Sequence, residues 1–364
     1  MIYADHAATT FMLPKAKDAM LEVLDSGNPS SLHRSGRAAR ELVENSRRKI
    51  AEMLGVPSKT IYFTSGGTEA NNTALSDVSP VYRSPFEHKS VTNRSKKYKD
   101  GIFTVKDGRV DLSNAAWNIS SLFEGQQVAV MTASNETGAI QPIEEIGEYC
   151  RKRNVYFHTD AVQAMGHIPV PIKNVDSLSA SAHKFGGAKG VGFLYSRKPV
   201  FPLIRGGYQE NGVRAGTENV AGIVSMAAAL EDQYENMAER SQRTKLLAGA
   251  LIKGLTLIDG VKINGSADRN NHLPGIISAT FCGLDGATIA LMLDAAGICV
   301  STGSACNAGS DEPSATLKAL GLTDEEINGT VRFSLSHTNT LGEIFAIVEN
   351  VVRITDTFKR RKTQ

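Results

Sequence analysis

The stretch Ile61-Tyr62-Phe63-Thr64-Ser65-Gly66-Gly67-Thr68-Glu69-Ala70-Asn71 decides the fold. Its first four residues, β-branched and aromatic, predict a strand; Gly66-Gly67 predicts a sharp turn, and a helix opens with Thr68. Working outward, 127–131 (Gln-Val-Ala-Val-Met), 155–158 (Val-Tyr-Phe-His) and 191–195 (Val-Gly-Phe-Leu-Tyr) read as further short strands. Between them, 143–153 places Ile143, Ile146 and Cys150 at the three-to-four spacing of a helix with one buried face. Strands alternating with helices in this way predict a mostly parallel, doubly wound α/β sheet.

From 217 to 255 the chain is dominated by Ala, Leu, Glu, Gln and Lys and reads as helix. Beyond it, 275–281 and 331–335 are strand-like while 286–296 and 341–354 are helical, which predicts a smaller α+β domain. A length of 364 residues is too great for one core and agrees with two lobes. With 41% hydrophobic and 21% charged residues the chain is expected to fold rather than stay disordered. Forty basic residues against 38 acidic ones leave +2, so nothing in the average charge points to a nucleic-acid partner. The basic run 94–99 (Arg-Ser-Lys-Lys-Tyr-Lys) reads as a solvated loop. Met1-Ile2-Tyr3-Ala4-Asp5-His6 has no basic leader before an apolar stretch, and apolar runs such as 223–230 fall short of a membrane span. Cys150, Cys282, Cys299 and Cys306 show no paired spacing for a disulfide framework or a zinc site, and a reducing cytoplasm is the expected home.

Four segments carry chemistry. Backbone N–H groups where the helix opens after Gly66-Gly67, with the Thr68 hydroxyl, form a donor-rich cup for a phosphate; a plain junction with Thr68 as N-cap is the other reading. In Val155-Tyr156-Phe157-His158-Thr159-Asp160-Ala161-Val162-Gln163, Asp160 lies at the carboxyl end of a strand, the edge where open α/β sheets bind ligands. It also reads as a helix cap, and Gln163 faces either the same ligand or solvent. Lys184 sits between the small-residue strand Ser179-Ala180-Ser181 and Gly186-Gly187; buried there, it is a candidate Schiff-base former, and otherwise a solvated lysine. Cys306 lies in 301–314, which holds no aliphatic or aromatic residue beyond Ala and Pro, so its thiol reads as a functional one on a loop. Cys150, on a helix stripe, and Cys282 and Cys299, in strand-like runs, read as structural.

The order of these pieces, with Asn135 in Ser134-Asn135-Glu136-Thr137-Gly138, resembles a family: the cysteine desulfurases of the iron–sulfur-cluster assembly type. These are class V aminotransferases within the fold-type I pyridoxal 5'-phosphate (PLP) enzymes. The resemblance runs nearly end to end. It takes in Tyr3-Ala4-Asp5-His6-Ala7-Ala8-Thr9-Thr10, Asn28-Pro29-Ser30-Ser31-Leu32-His33, Glu87-His88-Lys89-Ser90-Val91, Gly206-Gly207-Tyr208-Gln209-Glu210, Arg214-Ala215-Gly216-Thr217 and Arg332-Phe333-Ser334-Leu335. Thr68 and His88 are 20 residues apart (88 − 68), several fewer than in the family, so a helix between them looks trimmed.

The resemblance implies an α/β chain of PLP-dependent transferase fold type I. Its large domain, 11–250, would carry a mostly parallel, seven-stranded-type sheet; a small α+β domain, 251–364 with 1–10, would carry the Cys306 loop. Lys184 would hold PLP and move a proton, Asp160 would pair with the pyridinium nitrogen, and Gln163 would bond the ring hydroxyl. His88 would stack on the ring, taking part in catalysis. Gly67, Thr68, Ser181 and His183 would hold the phosphate, with Thr217 reaching in from the other subunit of a homodimer. Asn135, beside the cofactor, and Arg332 would grip the substrate carboxylate. The implied activity is that of a sulfurtransferase: L-cysteine gives L-alanine and a persulfide on Cys306, for transfer to a sulfur acceptor or scaffold protein in iron–sulfur cluster assembly or thiolation. No membrane or nucleic-acid partner is implied, nor any metal site beyond transient ligation of a nascent cluster by Cys306. A selenocysteine lyase or aminotransferase of the same fold remains open, as does a non-catalytic PLP-binding interaction protein.

Overall fold

A computed structural model describes residues 1–75, 80–93, 100–265, 269–303 and 313–362, the side chains of 359–362 excepted. The basic run 94–99 and Cys306 lie outside the described residues. A seven-stranded sheet forms the larger layer, in the spatial order Ile61–Thr64, Gly192–Ser196, Ser177–Ser181, Tyr156–Asp160, Gln127–Ala129, Val81–Arg83 and Gly101–Ile102. Gly192–Ser196 runs antiparallel to both neighbours, and every other pairing is parallel. The expected strands are therefore present, each within about two residues of its expected bounds.

The amphipathic segment forms the helix Ile143–Lys152, burying Ile143, Ile146, Gly147 and Cys150. Glu144 and Glu145 in its first turn and Arg151 and Lys152 in its last complement the helix dipole. Burial pushes the Cys150 thiol up, as suits a structural cysteine. The main core gathers the apolar sheet faces, including Phe63, Val128, Phe157, Leu178 and Phe193, with residues of the flanking helices.

A second core forms around a four-stranded antiparallel sheet ordered Val261–Ile263, Ile276–Phe281, Thr330–Ser334 and Ser301–Thr302. Helix Met237–Thr256 contributes Leu247, Leu251 and Leu255 to it, and Leu341–Lys362 contributes Ile344, Ile347, Val351 and Ile354. Ala4 packs there too, because Ile2–Tyr3 pairs in parallel with Ile298–Cys299. Cys282 departs from its expected strand setting. The strand ends at Phe281, Gly283 turns the chain at φ 71, and Cys282 is exposed in that turn. Among the described residues no helix is long and apolar enough to cross a membrane, and no group of His, Cys, Asp or Glu gathers to hold a metal.

Candidate active site

Strand register assembles the site. Thr64 pairs with Gly192, Gly192 with Ser181, and Asp160 with Ser179. The carboxyl ends of three strands thus share one edge of the sheet. Gly192 is glycine for a steric reason: a Cβ there would lie 2.4 Å from the Ala180 carbonyl oxygen and 2.7 Å from Gly66 Cα. The turn after the first strand can therefore fold down over its neighbour.

Past that turn the helix Gly67–Ala74 begins, capped by Gly66 at φ 153 with no side-chain cap. The N-cap is thus Gly66 and not Thr68, whose side chain is exposed in the first turn. The opening N–H groups of such a helix have no intrahelical acceptor. A Cβ on Gly67 would meet Val162 Cγ2 at 2.6 Å, and one on Gly66 would approach Ser181 Oγ to 3.4 Å. Glycines let the helix start sit against both the Asp160 turn and Ser181. Glu69 braces the turn, one oxygen accepting from the Ser65 N–H at 2.9 Å and the other from Arg214 Nε at 3.1 Å.

Asp160 is buried at the strand end. Its Oδ1 accepts from the Val162 N–H at 2.9 Å and its Oδ2 from Asn71 Nδ2 at 2.6 Å. The carboxylate thus does cap a turn, and it is also held from the side by a buried amide. Gln163, also buried, donates from Nε2 to the Ala7 carbonyl at 2.9 Å. Lys184 Nζ lies beside the same loop, donating to the carbonyls of Ala7 at 2.6 Å and Ala8 at 2.9 Å. His183 Nδ1 is 3.1 Å from Thr9 Oγ1, and burial together with Lys184 and Lys189 lowers its pKa to about 4.

His88 caps the short turn Lys89–Thr92 with its ring Nδ1. It lines a polar cavity of about 250 Å³ with Asn135, Glu136, Gly303 and Ser314. Gly303 and Ser314 bracket the segment that carries Cys306, and the Ser314 hydroxyl is bonded to Glu136 Oε2. Arg332 is buried; Nη1 donates to the Asn135 carbonyl at 2.9 Å, Nη2 to Asp5 Oδ1 at 2.9 Å, and Nε has no partner among the described residues.

Thr217 is exposed on the loop that follows Glu210. That loop is pinned from beneath. Buried Glu210 takes two bonds of 2.7 Å from Arg47 and one of 2.8 Å from the Phe63 N–H, while Glu210 and Asn211 hold left-handed φ values of 48 and 55.

Glu87 precedes His88 and is buried, with Oε1 accepting from the Met131 N–H at 2.7 Å and from Ser84, and with Oε2 unpartnered among the described residues. Burial raises its pKa from 4.5 to about 8, with the Asp160 charge adding to the rise. Between those values only the folded chain keeps the proton, so stability is lost as pH rises through that window. Glu87→Gln keeps an acceptor oxygen and removes the titration. Relative to wild type, its unfolding free energy should gain up to about 1.4 kcal/mol per pH unit on going from pH 6 to 8. Urea denaturation at three pH values checks this; parallel curves would show that Glu87 does not titrate there.

Sequence reading passed over Asn71, Ser90, His158, Asp5 and Glu87 as members of this site. His158 stands two residues before Asp160 and so shares its sheet face, while Asn71 stands four after Gly67 and so shares its helix face. Asp5, Glu87 and Ser90 stand in stretches that carry the family resemblance, but the contact of Asp5 with Arg332 spans 327 residues of sequence and no local pattern states it.

A family model described as aminotransferase class-V matches residues 2–347. A cysteine desulfurase IscS from Clostridium botulinum is 39% identical over 377 residues, covering 97% of this chain and 94% of that protein. Among solved structures, a NifS-like protein from Rickettsia africae superposes with a TM-score of 0.89 at 35% identity, over 98% of this chain and 99% of that one. A protein named SspA, solved in complex with cysteine, gives 0.78 at 28% identity over 93% and 100%. The expected fold-type I architecture, a mostly parallel seven-stranded sheet with a smaller α+β portion, agrees with these likenesses and with the strand order. The chain belongs to the class-V aminotransferase family, in its cysteine desulfurase branch.

Proposed function

We propose that the protein works as a homodimeric, PLP-dependent cysteine desulfurase. It takes sulfur from L-cysteine, releases L-alanine, and carries the sulfur as a persulfide on Cys306 to an acceptor protein for iron–sulfur cluster assembly or thiolation. One observation carries this reading: the cavity that His88 and Asn135 line is also lined by Gly303 and Ser314, the flanks of the Cys306 segment. The chain on either side of Cys306 therefore lies at the wall of this cavity.

The residues present fit PLP. A glycine cradle that a Cβ would fill, together with the opening N–H groups of Gly67–Ala74, Thr68, Ser181 and His183, suits the phosphate. Thr217 of the second subunit would add a further donor. Asp160 would hold the ring nitrogen, Gln163 the ring hydroxyl, His88 the ring face and Lys184 the aldehyde carbon. When bound, PLP supplies an electron sink for the substrate carbon skeleton.

This chain's own groups do the rest. The buried Nε of Arg332, without a partner among the described residues and with Asn135 beside it, gives a donor for the substrate carboxylate. Lys184 Nζ would move the proton of the substrate α-carbon. The Cys306 thiolate attacks the substrate sulfur. As the new S–S bond forms, the C–S bond breaks and its electron pair passes to the carbon skeleton, which takes up protons and leaves as alanine. A reducing, cytoplasmic setting suits a thiol that must stay free between turnovers.

Alanine and sulfide released from L-cysteine under reductant, wild type beside Cys306→Ala, test the proposal. Wild type should give equal amounts of both. Cys306→Ala should retain PLP and lose turnover at least a hundredfold, on the order of the loss of a nucleophile. Full activity in the variant would remove Cys306 from the mechanism, and no alanine from PLP-loaded wild type would overturn the assigned reaction.

A further inference from the structure

Asn71 is almost completely buried at the junction of two arms of the site. Its Nδ2 lies 2.6 Å from Asp160 Oδ2 and 2.8 Å from Ser90 Oγ, and its Oδ1 lies 2.9 Å from His158 Nε2. A carboxylate only accepts hydrogen bonds, so the end of the amide that faces Asp160 must be its NH₂ group. That orientation turns the amide oxygen to His158, whose Nε2 must then carry the proton. With Nε2 protonated on a neutral ring, Nδ1 accepts, and Ser177 Oγ donates to it across 2.7 Å. Burial keeps His158 neutral, lowering its pKa to about 3.

The other arm follows the same logic. Ser90 Oγ accepts from Asn71, which leaves its own hydrogen for His88 Nδ1 at 2.8 Å. The Ser90 backbone N–H reaches the same nitrogen at 3.1 Å. Two donors therefore converge on His88 Nδ1, which has no room for a proton. Burial and the nearby Lys184 charge lower the His88 pKa against the opposing pull of Asp160, so the ring is neutral.

We propose that the hydrogen-bond chain from Ser177 through His158, Asn71 and Ser90 fixes His88 as its Nε2–H tautomer, so that His88 presents a hydrogen-bond donor, not a base, to the cavity it lines. Asn71, Ser90 and His158 are positioning residues that act through His88, and Asn71 ties that tautomer to the placement of Asp160. The substrate group that meets His88 is then an acceptor, a carboxylate oxygen or a sulfur that arrives already deprotonated. This inference rests on the reading of His88 and Asp160 as the groups that flank PLP.

Solid-state ¹⁵N NMR of histidine-labelled, PLP-loaded protein tests it, with the His88 signals assigned by their loss in His88→Gln. The expected result is a protonated, pyrrole-type Nε2 and an unprotonated, pyridine-type Nδ1 for His88. A proton on Nδ1, or on both nitrogens, overturns the proposal. The spectrum is read without turnover, so its outcome is separate from whether L-cysteine yields alanine. Asn71→Ala should mix the His88 nitrogen signals, shift the visible absorption of the bound cofactor and speed cofactor loss roughly tenfold. Wild-type nitrogen signals and absorption in that variant would remove Asn71 from the chain. The wild-type spectrum decides the tautomer whether or not Asn71→Ala folds.

Discussion

Lys184→Ala should lose covalent PLP and with it at least a thousandfold in alanine release, within the range general acid–base groups contribute. The expectation comes from where the amine sits. Lys184 follows the strand Ser177–Ser181 in a tight turn, and its Nζ is held between the carbonyls of Ala7 and Ala8. Two acceptors at hydrogen-bond distance hold the amine at a set point on the carboxyl edge of the sheet, near His88 and within one turn of His183. Alanine at this position removes the amine without touching Asp160, Arg332 or the glycine cradle. Desalting the variant should strip its colour while the wild type stays yellow. Retained colour with undiminished turnover would move the covalent attachment to another residue.

Asp160→Ala should have the second-largest effect, a loss on the order of a hundredfold to ten-thousandfold in turnover with weaker cofactor retention. The carboxylate accepts from the Val162 N–H, which is half-buried, and from Asn71, which is buried. Removing it leaves the buried Asn71 donor without that acceptor, which costs about 1–3 kcal/mol unless water enters, while the half-buried Val162 N–H can turn to solvent. The structural cost and the chemical cost separate in experiment. Loss of melting temperature alone, with unchanged turnover at saturating PLP, would reduce Asp160 to a turn cap. Loss of turnover at saturating PLP would place the carboxylate at the ring nitrogen.

The pinned loop that carries Thr217 shows how much of the site is built from packing at a distance. Arg47 lies on the helix Arg34–Leu54, yet it fixes Glu210, and Glu210 holds Phe63 in the strand that ends at the glycine cradle. Arg214 then ties the same loop to Glu69 at the cradle itself. A buried ion pair of this geometry specifies one loop conformation more than it adds stability, because desolvating the charges offsets much of their attraction. The left-handed φ values of Glu210 and Asn211 are held there by those contacts.

Local pattern in the sequence determined the elements. A β-branched run before a Gly-Gly turn, an apolar stripe at three-to-four spacing and a strand of small residues each have a period or a breaker that states their conformation within a few residues. The same locality marked Asp160, Lys184 and the Gly66-Gly67 turn as candidates, since each stands at the end of a legible strand. Residue order carried the family, and through it His88, Asn135, Arg332 and Cys306. What only the tertiary structure decided are the contacts whose partners lie far apart in sequence: Asp5 on Arg332, Asn71 on Asp160 and His158, Arg47 on Glu210. Cys282 belongs with them, since a strand-like run does not say at which residue the pairing stops. Periodicity reports which face of an element is buried, but which residue meets which depends on strand register and on how helices pack over the sheet. Those are set by the summed burial of the whole core, and no local window of sequence contains that sum.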